Sequence, residues 1–272
     1  MRFPNTLAAA LLAVFLAACS GKGIDRTLET GKGADVYRAS LAEASKDMTQ
    51  EEAEAFNWAV SDLSIETLNQ RYPNGTARSA IRGESGLVRD SAPKRIAELE
   101  AVRPKYDAIL DQIAKLTADD TSFVMERNFH GLQPTVHASI HNNSQLPVSQ
   151  LQWRASLYLD DQKTPVASST IMDLYNNSNR GSSFFGEQGK IEAGGLPAGG
   201  AAKRAFRIGF VTGAADWTTL EIQNAKVRRI VLEPVPESVQ DYGGRSYLEG
   251  APYKALEQWK NALATADKMS EY

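Results

Sequence analysis

At residues 151–159 the chain reads LQWRASLYL, a run in which apolar and polar side chains alternate. Leu151, Trp153, Ala155, Leu157 and Leu159 occupy every second position. Successive side chains of an extended strand point to opposite faces of a sheet, so this pattern predicts a strand with one buried face. We expect Trp153 to be the central aromatic residue of the core.

The period of two recurs on both sides of this strand. Asn-, Asp-, Gly- and Pro-rich turns separate the alternating runs, which lie at 136–141, 206–210, 220–222 and 227–232. About seven short strands at this spacing predict an antiparallel sandwich over residues 121–236. We expect the chain to leave the sandwich after Pro234 and Pro236. The Gly/Pro turn at 194–200, followed by a Lys-Arg-Ala-Phe-Arg strand, resembles immunoglobulin-like modules of bacterial envelope proteins.

Helical spacing of apolar residues dominates residues 35–118. Asp35 is predicted to cap a helix over 36–47, and Thr49 with Glu52 matches a capping box at the start of the next helix. Apolar residues at 56, 59, 60 and 63 form one stripe of that helix. With the sandwich, this region predicts an α+β fold.

Glycine and proline are predicted to divide the following stretch. Residues 83–90 are predicted to form a loop. Pro93 is predicted to lie in the first turn of a new helix, and Pro104 to cause a kink or short break in that helix. A last helix is expected within residues 250–270, with Leu256, Trp259, Leu263 and Ala266 on one stripe. We expect this C-terminal helix to pack on the helical region.

The N-terminus matches a secretory leader. Arg2 precedes an apolar run at residues 7–16, and small residues follow at Ala17 and Ala18. A spanning helix needs about 20 apolar residues, roughly twice the length of this run. Residues 1–18 are therefore predicted to be a signal peptide.

Leu16-Ala17-Ala18-Cys19 resembles the lipobox of bacterial lipoproteins. The resemblance implies cleavage between Ala18 and Cys19 and lipid attached to the Cys19 sulfur, which would anchor the chain to a membrane. Ser20 favours the outer membrane over the inner, so we expect a cell-envelope location on its periplasmic face. Residues 19–34 have the polar composition of a flexible tether. An ordinary signal peptide with an incidental Cys19 is the alternative.

The opening of the mature chain resembles a family of uncharacterised proteobacterial lipoproteins. The resemblance rests on Cys19, Ile24-Asp25, Ser40-Leu41 and the Met-Thr-Gln-Glu-Glu run from Met48, and it covers roughly residues 16–70. It implies a lipidated chain with a helical N-terminal region. It implies no activity.

Composition and candidate motifs restrict the function. A formal net charge of −3 over 272 residues argues against nucleic-acid binding. His137 and His141 have the spacing of a helical zinc pair, but across a strand four residues span about 13 Å, too far for one metal. We therefore predict no metal site, no cofactor and no catalytic residue. Phe184 and Phe185, in a long polar loop, form a possible binding loop.

These observations favour a non-enzymatic, lipid-anchored envelope protein that binds another protein of the envelope. Two alternatives remain open at this stage. One is a periplasmic hydrolase that acts on envelope polymers, and the other is a carrier of a small molecule or lipid. A deep cleft with paired carboxylates or a Ser–His pair would favour the hydrolase, and a roomy apolar cavity would favour the carrier.

Overall fold

A computed structural model describes residues 21–129, 131–175, 195–209 and 215–272. Over these residues the fold is α+β, with six α-helices and two three-stranded antiparallel sheets. The helices are α1 (Ala34–Ser45), α2 (Gln50–Val60), α3 (Ile65–Arg71), α4 (Ala77–Ile113), α5 (Leu220–Asn224) and α6 (Tyr253–Met269). The strands are β1 (Leu116–Asn128), β2 (Gly131–Asn142), β3 (Gln150–Leu159), β4 (Ala167–Leu174), β5 (Ala201–Arg207) and β6 (Arg228–Gln240).

The chain divides into two compact units. The helical unit comprises Met1–Ala101 and Pro252–Tyr272, and the β unit comprises Val102–Ala251. Helix α4 contributes residues to both. The C-terminal helix α6 therefore belongs to the same unit as α1–α3.

The helical unit begins its second helix with the predicted capping box. The Thr49 hydroxyl accepts a hydrogen bond from the Glu52 amide, and the Glu52 carboxylate accepts one from the Thr49 amide. Phe56 and Ala59 from the predicted stripe are buried in the core of this unit. A turn follows α3, with Asn74 at φ 54°.

The prediction of a loop at residues 83–90 is wrong, because this segment is part of α4. The ring of Tyr72 lies so close to Gly83 that no Cβ would fit there. Glu84, the next residue, accepts hydrogen bonds from Arg71 at 2.7 and 2.8 Å and from the Tyr72 hydroxyl at 2.9 Å. These contacts from outside the helix offset the low helix propensity of glycine, which is about 1 kcal/mol.

The predicted helix start at Pro93 and break at Pro104 are also wrong, since α4 runs continuously from Ala77 to Ile113. An interior proline costs a helix about 3 kcal/mol. Burial on both sides of Pro104 opposes that cost. Leu99 is buried before it, and after it Ile109 and Leu110 pack against the core of the β unit.

Helix α6 packs within the helical unit, where ion pairs join it to α4. Lys260 Nζ lies 2.7 Å from Glu100, and Arg89 Nε lies 3.1 Å from Asp267. Pro252 occupies the N-cap position. Leu256 and Ala266 from the predicted stripe are buried, whereas Trp259 and Leu263 are half-buried.

The β unit contains two sheets with strand orders β1–β2–β5 and β4–β3–β6. The strand predicted from LQWRASLYL is β3, the central strand of the second sheet, and Trp153 is fully buried as predicted. Apolar residues from both sheets form one core. They include Phe123, Val136, Ile140, Trp153, Leu157, Phe206 and Leu232.

Two segments of the β unit differ from expectation. The strand predicted at Leu220 and Ile222 is wrong, because Thr219 caps α5 there by accepting a hydrogen bond from the Ile222 amide at 3.3 Å. Two alternating apolar residues are too few to outweigh an N-cap. Strand β6 continues past Pro236 to Gln240 through an irregular stretch, in which the Ser238 hydroxyl accepts a hydrogen bond from the Gln152 amide. Proline is tolerated in such irregular edge-strand positions.

Candidate functional site

The outer face of the β1–β2–β5 sheet carries a group of polar side chains. Val136 of β2 is buried in the core, so the alternate residues Thr135 and His137 lie on the opposite face. The antiparallel register pairs Thr135 with Arg207 and His137 with Ala205 of β5. Directly paired residues share one face of a sheet, so all four lie on the outer face.

A pocket of about 310 Å³ lies on this face. Ala205 is flanked by Lys203 and Arg207, which lie two residues away on either side and share its face. Same-face neighbours on a strand are separated by roughly 7 Å, so the short alanine side chain leaves space between two long basic ones. The described lining residues are Glu126, Thr135, His137, Lys203, Arg204, Ala205 and Arg207.

Thr135 is among the residues that line this pocket, and its hydroxyl is unsatisfied. The residue is 2% exposed, and its Oγ1 is the one buried side-chain nitrogen or oxygen in the described part of the chain that has no hydrogen-bond partner. A buried hydroxyl without a partner destabilises a protein by about 1–3 kcal/mol. Unpaired buried polar groups in native proteins therefore call for an explanation, and a ligand is one.

Lys203 also lacks an ion pair with any described residue, although it lies on a strand beside other charged side chains. Lys203 and Arg207 place basic side chains on the face of the pocket, and Glu126 supplies the single carboxylate among the described lining residues. The Arg204 side chain lies on the opposite face of β5. His137 is exposed on the same face. The lining thus combines a cationic group, a neutral hydroxyl and an imidazole, which together can bind an anionic group.

The third basic residue, Arg204, is held by a buried carboxylate. Asp173 of β4 is 1% exposed and accepts hydrogen bonds from the Arg204 Nε at 2.7 Å and from Arg204 Nη2. Its other oxygen accepts from the Tyr175 hydroxyl at 2.6 Å and from the Trp153 indole at 3.2 Å. Because β4 and β5 belong to different sheets, this ion pair joins the two sheets.

The Asp173 cluster is saturated with internal partners. Burial and the neighbouring Asp173 carboxylate raise the pKa of the Tyr175 hydroxyl far above its ordinary value. The guanidinium of Arg204 lies 4.5 Å from the centre of the Tyr175 ring, measured from Cζ. Since each member already has a partner inside the protein, we interpret this cluster as structural and the adjacent pocket as the candidate site.

Comparison with protein families, with curated proteins and with solved structures finds no match to the chain. Within the described residues, no helix is long and apolar enough to span a membrane. The same residues contain no group of three or more His, Cys, Asp or Glu side chains arranged to hold a metal ion.

A second cavity of about 480 Å³ lies in the helical unit, beside the N-termini of α1 and α3. Its most buried polar residue, Thr30, donates a hydrogen bond to Asn69 at 2.8 Å. The hydroxyl of Ser64 accepts from the Thr67 amide as the cap of α3. This cavity is larger, but its buried hydroxyl is already paired, so it offers weaker evidence for a ligand.

The sequence-predicted site residues meet different outcomes. His137 and His141 lie on strand β2, so the strand predicted for this segment is confirmed. His137 is also one of the residues that line the pocket. The lipidation and cleavage residues Cys19 and Ala18 lie outside the described residues. The proposed binding loop with Phe184 and Phe185 also lies outside them.

Sequence reasoning did not identify Thr135, Lys203 or Ala205 as site residues. The signal that was available is the segment from Lys203 to Arg207, in which two basic residues flank an alanine on one face of a predicted strand. The missing information was the pairing partner of that strand. Only the register between β2 and β5 places Thr135 and His137 beside it.

Proposed function

We propose that the chain is a non-enzymatic lipoprotein of the bacterial cell envelope that binds a partner protein through the pocket on the β1–β2–β5 sheet. The observation that carries the binding role is the unsatisfied Thr135 hydroxyl in a pocket lined by basic side chains. The lipobox-like segment ending at Cys19 supports the anchor.

Lipid on Cys19 would account for membrane attachment without a spanning helix. Each buried methylene contributes roughly 0.8 kcal/mol, and two acyl chains together give stable anchoring. Ser20, next to the modified cysteine, favours the outer membrane in this proposal. The flexible tether expected over residues 19–34 is shorter than predicted, because Ile24 and Leu28 are buried in the core of the helical unit.

The β unit is proposed to be an immunoglobulin-like sandwich. Two antiparallel sheets that share one core around a buried tryptophan support this assignment. Such sandwiches serve as binding modules in many cell-surface proteins. A module that presents a pocket on an outer sheet face, carried on an anchored chain, suits the capture of a partner close to the membrane.

The anchor is tested by expressing the full chain in a Gram-negative host with an alkyne-tagged fatty acid. We expect label on the wild-type chain and none on Cys19→Ser, with mass spectrometry placing the acyl groups on residue 19. A Ser20→Asp variant is expected to move the labelled chain from the outer to the inner membrane. An unmodified thiol at Cys19 in the mature wild-type protein would refute the anchor.

The binding role is tested with a photo-crosslinking amino acid placed in the full chain in living cells. Ser122 is exposed and pairs with His137 across β1 and β2, so it lies beside the pocket. Thr170 on β4 is an exposed control on the outer face of the other sheet. We expect a discrete protein adduct from position 122 that is lost in a Lys203→Met background and absent at position 170. Equal adducts at both positions, or none at 122, would contradict the role.

A further inference from the structure

We propose that strand β4 is a dimerisation edge, at which two copies of this chain pair antiparallel through their β4 strands. The pairing is independent of the pocket and of the anchor in the proposed function. Two features of the outer edge of the β4–β3–β6 sheet point to it. The backbone groups of this edge are accessible, and its sequence lacks the features that keep other edge strands from pairing.

The hydrogen-bonding phase of β4 shows which backbone groups point away from β3. Hydrogen-bonded and non-hydrogen-bonded pairs alternate along an antiparallel ladder. The Tyr175 amide donates to the Ser149 carbonyl at 2.8 Å, and the register continues from this pair along β4 without a break. Odd-numbered residues of β4 therefore bond to β3, and the N–H and C=O groups of Ser168, Thr170 and Met172 point to the outer edge.

These edge groups can accept another strand. Ser168, Thr170 and Met172 are exposed, and no described residue pairs with β4 on this side. The Thr170 carbonyl accepts a hydrogen bond of 3.5 Å from the Ser169 hydroxyl, which leaves its second lone pair free. The stretch from Ser168 to Met172 is therefore a short template for backbone pairing.

The other three edge strands of the β unit carry features that oppose pairing with another chain. Strand β1 is bulged between Asp119 and Ser122, and the Thr121 hydroxyl donates to a carbonyl of β6. Strand β5 carries basic side chains, and β6 contains two prolines and an irregular register. Charges, prolines and bulges protect exposed edges from pairing. Strand β4 reads ASSTIMDL and has none of these, since its one charged residue, Asp173, is buried and paired with Arg204.

A second copy of the chain is the occupant that fits this edge. The outward side chains of β4 are neutral and comprise Ser168, Thr170, Met172 and Leu174. Two-fold pairing sets a strand against itself, so a charged strand would place like charges opposite each other. The neutral edge avoids that repulsion, and it offers no charge that would select an acidic or basic foreign segment. Met172 and Leu174 are 52% and 51% exposed, and pairing would remove part of this apolar surface from water.

The open stretch also fixes the register of the pair. The Arg204 guanidinium donates to the Leu174 carbonyl at 2.6 Å and so occupies the edge at that point. A two-fold axis at Thr170 pairs this residue with its own copy and Ser168 with Met172, within the open stretch. About six backbone hydrogen bonds would then join the two strands. The product is one continuous sheet with the strand order β6–β3–β4–β4–β3–β6.

Disulfide trapping in the purified full chain, kept in nonionic detergent, tests this geometry. In the proposed pair the two Thr170 Cα atoms lie about 5.5 Å apart, which a disulfide can span. Arg154 is the matched control, because it is exposed and lies opposite Thr170 on β3. Three strand spacings, about 14 Å, would separate it from its copy, too far for a disulfide. We expect oxidation to give a covalent dimer of Thr170→Cys, and none of Arg154→Cys or of wild type, whose one cysteine is Cys19.

A charge exchange at the same position tests whether the occupant is a second copy. Thr170→Lys and Thr170→Glu each set like charges opposite each other, so each should weaken dimerisation about fivefold or more. An equimolar mixture sets opposite charges there and should restore the dimer. Sedimentation equilibrium in density-matched detergent measures both effects. Because Thr170 is exposed and its backbone points away from β3, both variants should keep the Tm of the wild-type monomer.

Each outcome either supports the inference or overturns it. A wild-type chain that stays monomeric up to about 1 mM, equal trapping at positions 170 and 154, or a dimer insensitive to both charges would overturn it. Capture of a different protein at position 170 in cells would also overturn it, in favour of a partner's strand. If the edge pairs as proposed, photo-crosslinking at position 170 joins two copies of the chain, and this adduct differs in mass from the partner adduct at position 122. Trapping at 170 alone, with dimerisation lost in each charged variant and restored in their mixture, would support it.

Discussion

Replacing Arg204 by methionine should destabilise the β unit strongly, because it leaves the Asp173 carboxylate buried without its counter-ion. The Asp173 side chain is fully buried, and that of Arg204 is 13% exposed. Removing one partner of a buried ion pair costs about 3–5 kcal/mol in the free energy of unfolding. We expect Arg204→Met to fall within this range.

The second substitution tests the cause of that loss. Asp173→Asn in the Arg204→Met background removes the uncompensated charge and keeps an amide oxygen that can accept from Tyr175 or Trp153. We expect the double variant to be more stable than Arg204→Met alone, with a total cost of about 1–3 kcal/mol relative to wild type. The two substitutions should therefore be strongly non-additive.

Arg229 provides a matched control on strand β6. Its guanidinium Cζ lies 4.2 Å from the centre of the Tyr158 ring, which resembles the stacking of Arg204 on Tyr175, but the residue is exposed. An exposed cation–π contact contributes about 0.5–1 kcal/mol. Arg229→Met should therefore cost no more than about 1 kcal/mol.

Urea unfolding followed by tryptophan fluorescence measures these differences. Of the four tryptophans, Trp153 and Trp217 lie in the β unit, so a Trp58→Phe/Trp259→Phe background reports on that unit alone. The reasoning is refuted if Arg204→Met costs no more than Arg229→Met. It also fails if the double variant is less stable than Arg204→Met.

Two further predictions concern the segment where α4 passes Tyr72. Gly83→Ala should destabilise the chain by about 1–3 kcal/mol, because the new Cβ would lie 2.6 Å from Tyr72 Cζ. Gly86 faces open space on the same helix, so Gly86→Ala should stabilise the chain by up to about 1 kcal/mol. Chemical denaturation measures both, and a stabilising Gly83→Ala would contradict the contact. Burial and the Glu84 hydrogen bond raise the pKa of Tyr72 to about 12, so its contribution to stability is complete below pH 10 and is lost as pH rises towards 12. The stability advantage of wild type over Tyr72→Phe should therefore narrow between pH 10 and 12 in urea titrations, and a constant gap would exclude this linkage.

Local sequence patterns predicted the elements whose stability depends on nearby residues. The capping box at Thr49 and Glu52 forms because both hydrogen bonds lie within one helical turn. Strand β3 forms where LQWRASLYL alternates, because one sheet face is buried and the period of a strand is two. The overall α+β class follows from these two periodicities.

The same local reasoning failed where distant contacts oppose a local preference. Gly83 and Pro104 both predict a break, yet α4 continues because Tyr72 and Arg71 hold one stretch and core packing holds the other. At Leu220 and Ile222 the reverse happened, because a helix formed where a strand was predicted. The capping hydroxyl of Thr219 outweighed the two alternating apolar residues.

The sequence by itself determined the α+β class and the elements with strong local patterns, such as α2 and β3, and its leader-like N-terminus with Cys19 carries the prediction of an anchor. Tertiary structure alone decided which side chains meet. Thr135 and Lys203 are 68 residues apart along the chain and share a pocket because β2 pairs with β5 in one particular register. A shift of one residue in that register would turn one strand's side chains to the other face of the sheet. Pairing across long loops depends on the burial of the whole core, which no local pattern encodes.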